Sequence, residues 1–473
     1  MSKLSRAAAV SATAILSGCT MLGPNFQRPA APAVSGYAMD GDKAPSNVTL
    51  SPDARAAGPW WTALGSAKLD ELIRTSLKDS PDIAYVEANI RSALAEASAI
   101  SGARSPQIDF SSNAQRQRIN AQSFGFVGFP SPTINLYQIG FTGKYDFDIW
   151  GKKRRASEAA AARAEADQRR ADAAYLTLSS NVALQAVRIA AIRAEMESIT
   201  EIVDADNRVI GMIQKAQQAG GSPRSDTSLG ETQLAQDLAL LPPLERQLSE
   251  ARHQLALLLG RTPGEWTAPD FALADFTIPK SIPIAIPSQL VHERPDILTA
   301  EAEFHAATAD IGVATASLYP DISLAANLTQ ASVEPENLFK YGSSGWSIAA
   351  GIAGPIFHGH TLKEREKQAI AEADAKFADY RRTVLAAFVQ VSDALSDVET
   401  SDRYVSAQDR AQKAANQNFE DARRSFDLGA GPLLNVFDAG RQLSIAQREK
   451  IRAQGQQLQD IIRLFAASAS DWR

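Results

Sequence analysis

YQIGFTGKYDFDIWGKK, Tyr137 to Lys153, changes its period partway along. Tyr137, Ile139, Phe141, Tyr145, Phe147 and Ile149 fall on one side of a two-residue alternation. Gln138, Thr142, Lys144, Asp146 and Asp148 fall on the other. After Trp150-Gly151 the alternation stops, and a proline-free run continues from Lys152 to Gln218. The first part reads as a strand with one apolar face. The second reads as a single helix on the order of 100 Å long, at about 1.5 Å per residue. Such a helix exceeds the width of an ordinary domain and the thickness of a bilayer.

The pattern occurs twice. Ser80-Pro81-Asp82-Ile83 recurs as Arg294-Pro295-Asp296-Ile297, and Ser105-Pro106-Gln107-Ile108 as Tyr319-Pro320-Asp321-Ile322, both at an offset of 214 (Pro81 to Pro295). Asp148-Ile149-Trp150-Gly151 is matched with Pro355-Ile356-Phe357-His358, at 207, so seven residues are expected to be lost from the second copy. Gly220-Gly221-Ser222-Pro223 matches Gly429-Ala430-Gly431-Pro432, at 209. The chain therefore reads as an internal duplication. The first repeat covers 68–262: a helix from Asp82 to Ala103, a β-hairpin 106–149, the long helix 152–218 and a helix 223–260. A Pro-rich equatorial linker, 263–282, follows. The second repeat covers 283–473: helix 296–318, hairpin 320–357, long helix 361–428 and helix 432–468.

Residues 1–18 read as a lipoprotein signal peptide. Lys3 and Arg6 precede a short apolar stretch, Ala7 to Leu16, which is too short to span a bilayer. Leu16-Ser17-Gly18-Cys19 then places the chain's one cysteine where lipidation requires it, so Cys19 is the expected acylation site. Thr20 follows; an Asp there would direct retention at the inner membrane. Residues 19–67 are expected as a lipid-anchored extended segment. No later run of 18 apolar residues occurs, so the chain itself can cross a membrane only as a closed β-barrel.

The second copy repeats the strand pattern. Ile322, Leu324, Ala326 and Leu328 share one face, as do Trp346, Ile348, Ala350, Ile352 and Ile356. Long strands with one apolar and one polar face suit a transmembrane barrel, with Tyr137, Trp150 and Trp346 as membrane-interface aromatics. The competing reading is a soluble hairpin packed on a core. Two hairpins supply four strands, and about eight are needed to close a barrel. Oligomerisation is thus expected, a dimer giving eight strands and a trimer twelve. Small residues from Ala159 to Ala162 and at Ala164 allow long helices to pack closely side by side.

Composition narrows the chemistry. With 22% charged residues and a net charge of -6, the chain lacks the basic face of a nucleic-acid binder. One cysteine allows neither an intrachain disulfide nor a cysteine metal site, and the five histidines make no HExxH spacing. His358-Gly-His360 reads as a polar turn rather than a metal clip. No nucleophile triad, P-loop or dinucleotide fingerprint is present. Acids on the long helices alternate with bases, as in Glu364-Arg365-Glu366-Lys367, which is a solvated face. No enzyme, cofactor or metal is expected beyond the lipid on Cys19.

Taken in this order, the lipobox, the duplicated Pro-Asp-Ile blocks, Asp148 to Lys152, Gly354-Pro355-Ile356-Phe357 and Gly429 to Asp438 resemble the TolC-like outer-membrane efflux factor family. They fit its lipoprotein, NodT-like branch. The resemblance covers nearly the whole mature chain. It implies a mixed α and β membrane protein: a homotrimer whose twelve-stranded outer-membrane barrel continues into a periplasmic α-helical barrel. It further implies a passive exit duct working with a periplasmic membrane-fusion adaptor and an inner-membrane pump of the resistance-nodulation-division type. The alternatives are an exit duct for type I protein secretion and a lipid-anchored coiled-coil scaffold without a pore.

In that family the turns between long helices form the periplasmic aperture. Gly220, Gly429 and Gly431 read as breakers and hinges, and Pro223 and Pro432 as first-turn residues of the returning helices. Asp226 and Asn435 occupy matched positions. Asp226 also suits the positive end of its helix. Leu434 and Asp438 lie four apart on one helix face and would form an apolar and an acidic ring. The family often carries acids at both positions of an Asp-x-x-Asp pattern here; this chain has Asn435, which leaves more of the closure to Leu433 and Leu434. Phe426 stands where the family often has an aromatic bracing the tip.

Overall fold

A computed structural model of the chain describes residues 21–34, 36–39, 41, 45, 48–51, 59–120, 125, 128 and 130–468. The signal stretch and Cys19 lie outside the described residues. In chain order the elements are β1 (Val48–Ser51), α1 (Ala67–Asp79), α2 (Pro81–Gly102), β2 (Gln107–Arg118), β3 (Thr133–Phe147), α3 (Lys152–Gln218), α4 (Arg224–Leu238) and α5 (Leu241–Leu258). They continue with β4 (Ile282–Ala285), α6 (Pro287–Glu293), α7 (Pro295–Ala316), β5 (Asp321–Ser332), β6 (Ser344–Ala353), α8 (Thr361–Asp427) and α9 (Leu433–Ala467). No helix among the described residues is long and apolar enough to cross a membrane.

Corresponding elements recur at fixed offsets. Both bounds of α2 and β2 return in α7 and β5 at 214, and both bounds of α3 return in α8 at 209. The junction between strand and long helix differs from the sequence match. Gly151, at φ 78, precedes α3; the residue in the same position before α8 is His360, at φ 69. The register there is 209 rather than 207, so five residues rather than seven are lost by this point. The His358-Gly-His360 stretch is an exposed turn, closed by Thr361 N–H donating to the His358 carbonyl at 3.0 Å. Among the described residues no three metal-binding side chains cluster.

A second difference lies in the returning helix of the first copy. The expected helix 223–260 is two helices, broken at Ala239-Leu240. Pro242 and Pro243 cause the break, because neither can donate the amide that would continue α4. The corresponding α9 lacks them and runs for 35 residues.

The chain divides into two compact units. One contains residues up to Pro29, Asn89–Gln168 and Thr299–Tyr380. It holds a four-stranded sheet in the order β2-β3-β5-β6, antiparallel throughout. Its helices meet through alanines: Ala159, Ala160, Ala162, Ala164 and Ala166 are buried, whereas Ala161 is exposed.

The other unit contains Ala30–Ala88, Arg169–Leu298 and Arg381–Arg473. Its core is aromatic. Trp60 stacks on Phe465 with ring centroids 5.7 Å apart and meets Trp61 edge-on. Each such buried ring contributes on the order of 3 kcal/mol. The segment expected as a linker places Phe271 and Phe276 in this core. Beside it, β1 and β4 pair in parallel, Val48 opposite Ile282. Arg294 is buried and holds three groups: Asp296, the Gln390 side chain and the Ala467 carbonyl at the end of α9.

Candidate functional site

The first candidate region is the four-stranded sheet. Cross-strand partners lie on the same face of an antiparallel sheet. Phe110, Phe141, Leu328 and Trp346 form one row across all four strands. Ile108, Gly143, Ala326 and Ile348 form another, and Phe147, Ile322 and Ile352 a third. The rows between belong to the opposite face and carry polar and small side chains: Asp109, Thr142, Asn327 and Ser347 stand in line. The apolar face is uncovered in the single chain; Trp346 is 77% exposed, and Phe110, Phe141, Leu328, Ile348 and Ile352 are exposed too. Tyr137 lies near the start of β3, opposite Ala114 and Ser332. Trp150 lies beyond the strand end, where its indole N–H donates to the Pro320 carbonyl at 2.8 Å and its ring packs on Tyr319.

The same unit ties down the segment that follows Cys19. Arg155 is 1% exposed. Its guanidinium donates to the carbonyls of Leu22 (3.1 Å) and Gly23 (3.3 Å), to Asn25 Oδ1 (2.7 Å) and to Glu158 (2.8 Å). Leu22 N–H donates to the Trp150 carbonyl. Gly23 and Gly312 meet backbone to backbone: a Cβ on Gly23 would lie 2.5 Å from Gly312 Cα. Phe26 stacks on His305, and Arg28 pairs with Glu301 at 2.8 Å. Arg155 is the residue that sequence reasoning missed, since it sits in the run Lys152-Lys153-Arg154-Arg155 and reads as one more solvated base.

The other unit holds both helix turns. They are built alike. Gly220 (φ 76) donates to the Gln217 carbonyl, and Gly221 to that of Ala216. Gly429 (φ 72) donates to Phe426, and Ala430 to Ser425. This is a Schellman ending, which needs a left-handed residue and so favours glycine. Pro223 and Pro432 are N-caps in extended conformation rather than first-turn residues, with ψ of 157 and 146. Their carbonyls accept from the Asp226 and Asn435 amides, each at 3.1 Å.

The expected aperture residues separate into two groups. Leu434 is 60% exposed, and Asn435 and Asp438 are exposed beside it; Asp438 lies 3.4 Å from Arg441. Asp226 is half-buried and accepts from the Ser222 hydroxyl at 2.8 Å, consistent with first-turn capping. At the second turn Gly431 replaces Ser222, and a Cβ there would lie 2.6 Å from Ser425 Oγ. Leu433 is not available for closure as expected. It is buried with Ile213 and Val436, and half-buried Phe426 packs on the same cluster.

Behind that cluster lies an acid pair that no sequence motif marks. Asp206 of α3 and Asp237 of α4 meet in the wall of a cavity of about 210 Å³. Burial, the neighbouring Asp237 charge and a hydrogen bond with it push Asp206 up to about 7. Asp237 accepts from Gln233 Nε2 at 2.7 Å.

These features correspond to known proteins. The family model described as outer membrane efflux protein matches residues 72–261 and 286–470. The pyoverdine export outer membrane protein OpmQ of Pseudomonas putida is 29% identical over 431 residues, 90% of each chain. The probable outer membrane lipoprotein SilC of Salmonella typhimurium is 25% identical over 98% of each. Among solved structures, the outer-membrane channel OprN superposes with a TM-score of 0.86 at 23% identity, over 95% of this chain and 99% of that one. The two family matches fall on the two copies of the repeat and together cover most of the sequence, so the chain belongs to the outer membrane efflux protein family.

Proposed function

We propose that the chain is the outer-membrane exit duct of a tripartite efflux system, a passive homotrimeric channel for small molecules. The observation that carries this reading is the sheet: one uncovered apolar face, one polar face and two unpaired outer strands, β2 and β6, among the described residues. In water an exposed apolar face and two free edges are both unfavourable. In a membrane the apolar face meets lipid, but the edges must be closed. Because β2 and β6 run in opposite directions, β6 of one copy can pair antiparallel with β2 of the next. A cyclic arrangement then closes with no edge left.

Three copies fit a conduit better than two. An eight-stranded barrel is only wide enough for its own side chains, whereas twelve strands leave a lumen. Exposed Leu385 and Val389 on α8, and Tyr85 and Leu94 on α2, supply apolar surface for lateral packing of helices from neighbouring copies. The lipid on Cys19 would lie a few residues from the strapped segment at Leu22 and Gly23, in the unit that carries the strands. The relative named for pyoverdine export favours small-molecule cargo over protein export. An inner-membrane pump and a periplasmic adaptor complete the system.

The aperture reading assigns closure to Leu434 and Asp438, with Asp226 supporting its own turn. Asp438→Ala combined with Asp226→Ala is expected to raise single-channel conductance in planar bilayers and weaken cation preference. Most of the selectivity change should come from Asp438→Ala alone, because Asp438 is exposed whereas Asp226 is half-buried in its own turn. Unchanged conductance and selectivity in the double variant would reject this aperture. Absence of any channel from the wild-type chain would favour the scaffold instead.

A further inference from the structure

The cavity lined by Asp206 and Asp237 holds more unmet polarity than a packing defect would. Its walls include Val209, Phe419, Val436 and Phe437. Ser444 also lines it, is 3% exposed, and its Oγ has no hydrogen-bond partner. Asp206 Oδ2 is buried without a donor, and Asp237 is 5% exposed. Two carboxylates facing each other in such surroundings require a positively polarised hydrogen between them. A proton is one source and an ammonium group is another. The other charged groups around the cavity are Glu201 on α3 and Arg441 on α9; α8 contributes Phe419. Arg441 is drawn toward Asp438.

Size and shape choose between classes of occupant. An apolar cavity of about 150 Å³ accommodates benzene. The cavity here, at about 210 Å³, has room for one ring bearing a short arm. We propose that it is a binding site for a small ring-bearing primary ammonium, with the nitrogen set against the Asp206–Asp237 pair from the cavity side and the ring against Phe419 and Phe437. The orphan Ser444 hydroxyl accepts the third N–H. Aromatic faces add a cation–π contribution. The site lies within one chain and does not depend on the channel reading.

Below about pH 7 the pair holds one shared proton, as the raised Asp206 indicates. An entering ammonium keeps its own three hydrogens, and the shared proton leaves to solvent. Binding at pH 6 therefore releases up to one proton per ligand, and release falls toward zero at pH 8.

The test is calorimetric titration of the full chain in detergent with benzylamine, run in two buffers of different ionisation heat, with benzyl alcohol as the neutral counterpart. Benzylamine is expected to bind at least tenfold more tightly than benzyl alcohol and to release protons at pH 6 but not at pH 8. Asp206→Asn should weaken benzylamine at least tenfold, leave benzyl alcohol within about twofold and abolish the proton release. Should that variant fail to assemble, Asp237→Asn provides the same comparison. Equal affinity for the two ligands, or benzylamine binding unaffected by removal of the acid, would mean that the pair simply holds a proton and water, and would overturn the proposal.

Discussion

Phe141→Arg combined with Leu328→Arg is expected to abolish assembly in the outer membrane. The two residues are direct cross-strand partners in the row that also contains Phe110 and Trp346. An arginine on the lipid face near the bilayer midplane costs about 2–4 kcal/mol. Two per chain cost about 4–8 kcal/mol, comparable with the whole net stability of an ordinary domain, about 5–15 kcal/mol. The control is the adjacent row. Thr142→Arg with Asn327→Arg changes the charge by the same amount on the polar face and should be tolerated, since that face is expected to line water. Membrane fractionation and heat-dependent gel mobility read both variants. Equal behaviour of the two would show that the apolar face is not lipid-facing.

Arg155→Met is expected to release the segment from Leu22 to Asn25. The substitution removes four hydrogen bonds at once and leaves the Leu22 and Gly23 carbonyls and Asn25 without their donor. Breaking a buried, hydrogen-bonded charge site in this way costs on the order of 3–5 kcal/mol. Arg155→Lys should not rescue it, because an ammonium cannot reach these acceptors with the fixed fork of a guanidinium. Gly312→Ala should mimic the effect by sterics, since a Cβ there would lie 2.7 Å from the Leu22 carbonyl oxygen. Faster hydrogen exchange and protease cleavage around Leu22 to Asn25 would report release. Unchanged protection in Arg155→Met would show that the strap does not depend on this side chain.

Periodic elements were legible in the sequence, and special positions were not. The one-faced alternation of β3 and β5 and the proline-free runs of α3 and α8 follow directly from side-chain period, and both appear in the structure with bounds close to expectation. The break within the first returning helix was also written in the chain as Pro242-Pro243, but the apolar spacing on either side masks it. The short parallel pair β1 and β4 escaped because a four-residue strand carries too little pattern. Arg155 escaped because burial is a property of neighbours; only tertiary structure distinguishes it from Lys152, Lys153 and Arg154. Leu433 and Leu434 show the same limit, as adjacent leucines of which one packs on Ile213 and the other faces outward.

Asp206 and Asp237 are separated by a turn and lie on different helices, so no local spacing pairs them. At the helix turns, by contrast, the glycines were legible for a backbone reason. Only a residue at ease with positive φ ends both long helices in the same way.

The central claim is that one chain supplies a third of a closed channel. Measuring the mass of the detergent-solubilised protein, by native mass spectrometry or light scattering with detergent subtracted, tests it most directly. Three chains per particle are expected, with no free β2 or β6 edge. A stable particle of one or two chains would contradict the account, since four strands cannot close and eight leave no lumen.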